Sequence, residues 1–290
     1  MSPLAQKILT KMNGLGNAIA ILDLRGTGLT VSSEEARAIR RGEGLAFDQL
    51  MVLHEPRSPG ADAFMAIFNS DGTQASACGN GTRCVAYLLT RGTKQDRVVL
   101  ETSAARLECL RASESIFTVD MGSPRLAWHE IPLSRPFPDT RKVALEIETR
   151  ESLGLGPPSC VNMGNPHAVF WAEDIEAHDL SHIGPLFENH PVFPERANIS
   201  LARAVSRNHI ALKVWERGTG LTRACGSAAC AALVAAVRLG LTGRKAVVAQ
   251  PGGNLEISWL EGSGRVLMTG AVEYEFETRL DPALFADIAA

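Results

Sequence analysis

Two stretches of this chain are versions of one another, and the repeat limits the fold more than any other feature. Residues 68–84 read FNSDGTQASACGNGTRC and residues 214–230 read VWERGTGLTRACGSAAC. Each holds Ala-Cys-Gly, then a polar residue, then a short and almost wholly apolar run. The first run, Cys84 to Leu89, stops at Arg91-Gly92; the second, Ala228 to Val237, stops at Arg238-Leu239-Gly240. The pattern predicts a loop, a cysteine and a buried helix closed by a C-terminal glycine, twice over. Cys78 and Cys225 lie 147 positions apart, each nine residues after a polar anchor, Asn69 or Glu216. Val98-Val99 and Val247-Val248, Leu107-Glu108 and Leu255-Glu256, and Gly122 and Gly270 recur at nearly the same offset. An offset shared along a 290-residue chain reads as duplication, two halves of one architecture.

Between these landmarks the pattern is mostly strand. Residues 7–11 and 18–24 flank the turn Asn13-Gly14-Leu15-Gly16-Asn17. Ser32 with Glu35 makes a capping box that opens a helix to about Arg41. Strands are expected at 49–54, 62–68, 97–101, 105–110 and 115–121, then at 142–148, 159–163, 168–171, 199–205 and 210–215. Further strands are expected at 245–249, 254–260 and, as one run, 265–277. A short helix is placed near 180–188, and Asp281-Pro282 opens a last one. The stretch 124–138 is rich in turn formers and is the passage between halves, which divides the chain into 1–124 and 125–271. Strands outnumber helices, and each half has one buried helix. The fold class is therefore α+β, a mixed sheet or barrel wrapped on a central helix in each of two pseudo-symmetric domains. No dinucleotide or Walker loop is present.

Composition excludes several functions. With 45% apolar and 21% charged residues the chain reads as an ordinary soluble protein. A formal net charge of −3 without a basic block argues against a nucleic-acid partner. No signal peptide is visible, and the most apolar run falls short of the ~20 residues that span a bilayer. The expectation is a cytoplasmic protein with no membrane partner. Its six cysteines would be mostly reduced there, and their spacings are not those of a zinc site.

A thiolate at a helix N-terminus is favoured by the dipole and the free N–H groups, so the Cys78 and Cys225 pKa values are expected to fall. Cys84, Cys109, Cys160 and Cys230 read instead as buried structural residues. If the two cysteine turns meet, their N–H groups form a site for a carboxylate whose α-carbon lies between two sulfurs. One cysteine then removes the α-proton and the other protonates the opposite face, which inverts the centre without a metal or any other cofactor.

The motifs KMNGLGN, AFDQ, FNSDG, ACGNGTRC, MGNPH and WERGTGLTRACGS occur in this order, and with them the chain resembles the diaminopimelate epimerase family along essentially its whole length. The resemblance implies that Cys78 and Cys225 are the acid/base pair. It implies that Gly79-Asn80 and Gly226-Ser227 present backbone N–H groups to the reacting carboxylate. Asn69 and Glu216 would hold the α-ammonium, Arg217 the distal carboxylate, and Asn17, Gln49, Asn165 and Asn198 the rest of the distal end. His167 and Glu216 would tune the thiols. It further implies a site in the cleft between the two domains, return of residues 272–290 to the first domain, and a homodimer. The chain departs from the family at Ala18 and Leu221, where acidic residues are common, and in opening its second helix with GSAAC.

The implied reaction converts LL-2,6-diaminopimelate to the meso form, in lysine and peptidoglycan precursor synthesis. A proline or 4-hydroxyproline racemase would use the same chemistry on a smaller substrate, but Arg217 and the site amides suit a long substrate with a second polar end. A non-catalytic amino-acid binder, or a thiol redox or metal-binding protein, would not exchange the substrate α-proton with solvent.

Overall fold

The computed structural model describes residues 2–75, 77–145 and 154–288. The chain forms two compact units, Met1–Val119 with Gly270–Ala290, and Asp120–Thr269.

In the first unit β1 (Ile8–Asn13) and β2 (Ala18–Asp23) form a hairpin. Helix α1 (Ser33–Arg41) then crosses to β3 (Gln49–His54), which lies parallel to β2. A parallel neighbour cannot be reached by a tight turn, so the crossover helix is a geometric necessity. Strand β4 (Ala63–Asn69) returns antiparallel to β3 and makes a short hairpin with β5 (Gln74–Ala75). Helix α2 (Gly79–Thr90) leads to β6 (Arg97–Glu101), parallel to β4. Strands β7 (Arg106–Arg111) and β8 (Ile116–Asp120) follow as an antiparallel meander.

The second unit repeats these pairings. Strands β9 (Ser159–Asn162) and β10 (Pro166–Trp171) are antiparallel, and α3 (Leu180–Glu188) crosses to β11 (Asn198–Ser206), parallel to β10. Strand β12 (His209–Glu216) pairs antiparallel with β11 and with the short β13 (Gly220–Thr222). Helix α4 (Gly226–Arg238) leads to β14 (Lys245–Gln250), parallel to β12, and the meander β15 (Gly253–Trp259) and β16 (Val266–Ala271) follows. The last strand, β17 (Glu273–Arg279), belongs to the first unit and pairs antiparallel with β1.

Each sheet is covered on both faces, which is why the strand interiors AIAIL, LMVL and AVFW are apolar without interruption. Alternate residues then divide between two helices. In the first unit Ala20, Leu22, Leu50, Val52 and Phe68 pack on α1 through Ala36 and Ile39. Residues of opposite parity face α2, as Met51 does where it touches Gly81. In the second, Ala168, Phe170, Ile199, Leu201 and Trp215 pack on α3 through Ile183 and Phe187, leaving the other face to α4. Helix α4 is surrounded by β9–β12, β14 and β15, and from Ala228 to Ala236 every residue is fully buried. Its alanines are the consequence of that close approach.

Local signals set the ends. Ser32 Oγ accepts from Glu35 N–H (3.1 Å) and Glu35 accepts from Ser32 N–H (2.9 Å) at α1, a cap worth about 1 kcal/mol. Gly92 and Gly240, each at φ +71°, follow the ends of α2 and α4. Two strand expectations need correction. Described residues 142–145 form no strand, though Val143 N–H still bonds Pro158 O; residues 146–148 lie outside the described residues. The run 265–277 is two strands, broken at Val272, whose N–H turns to Ser115 O. Asp281 caps a single 3-10 turn, Pro282–Phe285. Among the described residues no helix is long and apolar enough to cross a membrane.

Candidate active site

The repeat in topology puts the residues singled out from the sequence at matched positions of the two units. Asn17 and Asn165 follow the first hairpin turn of each unit. Gln49 and Asn198 begin the crossover strands β3 and β11. Asn69 and Glu216 end β4 and β12, and Cys78 and Cys225 cap α2 and α4.

In the first unit Cys78 is half-buried, with extended backbone (φ −153°), and its Sγ accepts from Gly81 N–H at 3.2 Å. The glycine makes room for a close approach: a Cβ there would fall 2.0 Å from Met51 Cε and 3.3 Å from Cys78 Sγ, so Met51 would have to shift. Asn80 is buried and accepts from fully buried Arg83 at 3.1 Å, and Gly14 of the first turn rests on Asn80. That turn places Leu15 at φ +61°, a conformation uncommon for a residue with a side chain. Asp48 accepts from Ala18 N–H (2.8 Å) while its own N–H bonds Ala18 O, so the residues after Asn17 and before Gln49 are tied together. Gln49 Nε2 donates to Asn69 Oδ1 (3.2 Å), and Asn69 Nδ2 donates to Thr73 Oγ1 (3.1 Å). Asn17 Oδ1 and Gln49 Oε1 are buried acceptors without a hydrogen-bond partner. Leaving such an oxygen unpaired costs about 1–3 kcal/mol, so an ammonium or amide donor from a ligand fits them.

The second unit is the charged counterpart. Cys225 is buried, its N–H bonds Gln250 Oε1 (2.8 Å), and its Sγ lies 3.5 Å from Ser227 Oγ. Burial pushes its thiol well above the ordinary value, and the adjacent Glu216 carboxylate adds to this, while Ser227 draws it back. The expectation that a helix N-terminus lowers both thiols therefore fails at Cys225, where desolvation outweighs the dipole. Gly226 opens α4 directly behind it. Glu216 Oε1 accepts from Thr222 Oγ1 at 2.6 Å. Arg217 N–H donates to Asn198 Oδ1 (2.9 Å), its Nη1 donates to Glu195 O (2.9 Å), and Asn198 Nδ2 donates to Pro166 O. Asn198 thus has its amide engaged on both sides with the backbone. His167 is fully buried; burial and then the Arg217 charge push it down to about 3, so it is a neutral imidazole. Its Nε2 lies 2.8 Å from Asn165 Oδ1, and Nδ1 has no partner. Arg217, Asn165, Arg125 and Glu195 line a cavity of about 440 Å³ in this unit.

The remaining thiols are buried. Burial raises Cys84 and Cys109 to about 12 and Cys160 further. Among the described residues no group of three or more His, Cys, Asp or Glu is arranged to hold a metal ion. Two supporting residues have no assigned part in the sequence reading, Asp48 and Gln250. The first lies inside AFDQ; the second ends a strand just before a Pro-Gly-Gly turn, and nothing local marks its partner.

The duplicated mixed sheet is a fold also seen in solved phenazine-biosynthesis, racemase and epimerase structures. A probable proline racemase from Agrobacterium radiobacter K84, crystallised with carbonate, superposes with a TM-score of 0.67 over 97% of this chain and 95% of its own, at 14% identity. The family model for diaminopimelate epimerase matches residues 9–127 and 159–275. The diaminopimelate epimerase of Methylocella silvestris is 62% identical over 290 residues, 100% of both chains, and that of a Methylobacterium species 56% identical over 294 residues, again 100% of both. The chain belongs to the diaminopimelate epimerase family.

Proposed function

We propose that this chain interconverts LL- and meso-2,6-diaminopimelate by a two-base mechanism on Cys78 and Cys225, in lysine and peptidoglycan precursor synthesis. The observation that carries the reading is the occurrence of a cysteine at the same position of a duplicated topology, each at a helix N-terminus. A two-base inversion needs two such groups, one for each face of an α-carbon. Cys78, half-exposed and accepting from Gly81 N–H, suits the thiolate that takes the proton. Cys225, held protonated by burial and by Glu216, suits the thiol that gives one. The reverse reaction exchanges these roles.

The backbone N–H groups at Gly79-Asn80 and Gly226-Ser227 would bind the reacting carboxylate and stabilise the charge it gains as the α-proton leaves. Asn69 and Glu216 would take the α-ammonium. The orphaned oxygens of Asn17 and Gln49 favour donor N–H groups of the ligand, and Arg217 with Asn165 suits the distal carboxylate and its surroundings. Asn198 would act through the Arg217 amide it holds. His167, neutral, would influence the thiols by hydrogen bonding rather than by charge. Proline or hydroxyproline would leave Arg217 without a carboxylate to meet. The mechanism needs no cofactor. We place the enzyme in the cytoplasm as a homodimer, in keeping with the resemblance.

The test is incubation with LL-diaminopimelate in deuterated water, with separation of stereoisomers and mass analysis of the product. Formation of the meso isomer with deuterium at one α-carbon is expected. No isomerisation, or preference for proline, would remove the reading.

A further inference from the structure

Glu188 is the last residue of α3, where a negative charge opposes the helix dipole, and its carboxylate is nearly buried. A charge removed from water at an unfavourable helix end needs strong compensation. It has three donors: Oε1 accepts from Gly218 N–H at 2.9 Å and from Arg196 Nη1 at 3.2 Å, and Oε2 accepts from Trp215 Nε1 at 2.6 Å. Two of these, Trp215 and Gly218, stand immediately before and after Glu216-Arg217. Strand alternation sends Trp215 to the α3 face of the sheet and Glu216 to the opposite face, where α4 begins with Cys225. Helix α3 also comes close enough to the indole that a Cβ on Gly184 would lie 2.5 Å from Trp215 Cγ.

We infer that Glu188 is a positioning residue for substrate recognition: from the reverse side of the sheet it brackets Glu216-Arg217 and holds Arg217 ready for the distal carboxylate. This rests on the reading of Arg217 proposed above. The bracket is specific for a carboxylate. Glutamine can accept from one of the two turn donors, but its NH₂ group meets the other donor to donor.

The experiment is Glu188→Gln in the full-length enzyme, with LL-diaminopimelate kinetics and amide hydrogen exchange across residues 213–220. KM should rise about tenfold as one charge-assisted bond is lost, while kcat falls by no more than about threefold. Exchange should quicken at Gly218 while α4 keeps its protection. Trp215→Phe added to Glu188→Gln removes the opposing donor, so it should recover part of the lost KM, a non-additive result that a general loss of stability cannot give. If Glu188→Gln does not fold, Trp215→Phe alone cuts the same bracket from the turn's side and must raise KM and quicken exchange. Unchanged KM and unchanged exchange in the folded variant overturn the inference, as does a fall in kcat alone. If the wild-type enzyme does not turn over diaminopimelate, the functional reading fails. The bracket is then judged by exchange alone, and slow exchange at Gly218 in Glu188→Gln overturns it.

Discussion

The two cysteine turns share a backbone plan but differ in electrostatics. In the first, a neutral Asn69 ends β4, Gln49 bonds it, and the thiol is half-exposed with an amide donating to it. In the second, Glu216 stands where Asn69 does, the thiol is buried, and the carboxylate raises it. At the position next to each strand start, Ile19 pairs with Gln49 while His167 pairs with Asn198. A duplicated scaffold can therefore place two chemically identical side chains in different electrostatic surroundings by changing what lies beside them.

The largest effect should come from removing either thiol. Cys78→Ala and Cys225→Ala should each lower kcat by about 10⁴-fold or more, since neither proton transfer has a substitute. Serine at either site should leave a weak enzyme, its hydroxyl being a far poorer acid. If one alanine variant kept near-normal turnover, the two turns would not be partners in one reaction.

Glu216→Gln tests the charge difference directly. Loss of the proposed ammonium contact should lower kcat/KM by about 10²-fold. The pH profile carries the sharper information. Burial and then the Glu216 charge hold Cys225 protonated, so removing the charge lowers its pKa. Activity that requires the Cys225 proton then fails at lower pH, and the alkaline limb of the profile moves acidward. An unmoved limb in the variant would mean that Glu216 does not govern this thiol.

How far this contrast was readable in the sequence depends on the range of the interaction. The offset of 147–149 residues aligns Asn17 with Asn165, Gln49 with Asn198, Asn69 with Glu216 and Cys78 with Cys225 before any coordinates are known. The capping box at Ser32 and the strand runs of β3 and β10 are likewise local signals. The two-residue β5 and three-residue β13 are too short to show a period. The break at Val272 is hidden because buried and exposed residues go on alternating through it. Protonation was the least readable property. The helix-end argument applies equally to Cys78 and Cys225, and what separates them is burial and a carboxylate, both consequences of tertiary packing. Glu188 and Gln250 gave no local sign of their part in the site, since the turn donors Trp215 and Gly218 lie 27 and 30 residues from Glu188 and Cys225 lies 25 from Gln250.

Helix packing offers a further contrast. The third residue of α2 is Gly81 and that of α4 is Ala228. A Cβ on Gly81 would meet the end of Met51, itself buried, whereas the second unit carries a methyl at this place. Gly81→Ala should cost about 1–3 kcal/mol through overpacking, measured by urea unfolding. Ala228→Gly should lose about 1 kcal/mol of helix preference. Equal and small effects would mean that Met51 moves aside freely and that the glycine is not required.

His167 supplies a stability difference with a defined sign. Its folded-state value near 3 lies below the unfolded value of 6.5, so between these limits the unfolded chain binds a proton that the folded chain does not. Stability from this group is present above about pH 6.5 and is lost as pH falls toward 3, at up to about 1.4 kcal/mol per pH unit. His167→Ile copies Ile19 of the first unit and should remove that part of the slope. Unfolding free energies at about pH 7 and about pH 5 give the comparison, and an unchanged slope would mean that the imidazole is not held neutral.

The smallest expected effect concerns the tethers of the two turns. In the second unit the turn after β12 is held by a buried carboxylate with three donors. In the first, the turn after β4 rests on α1: Arg37 Nη1 donates to Asp71 O at 3.2 Å, and Gly72, at φ +84°, sits against Ser33 O and the Arg37 side chain. This contact is exposed, and its donor is a long side chain that water can replace. An exposed single bond of this kind contributes little once the entropy of fixing the side chain is counted. Arg37→Ala should therefore change stability by no more than about 0.5 kcal/mol and leave KM within about twofold, against the about tenfold rise expected for Glu188→Gln. Comparable KM shifts in the two variants would show that the turns are equally dependent on the helix behind them, and that the difference between buried and exposed tethers has no consequence for binding.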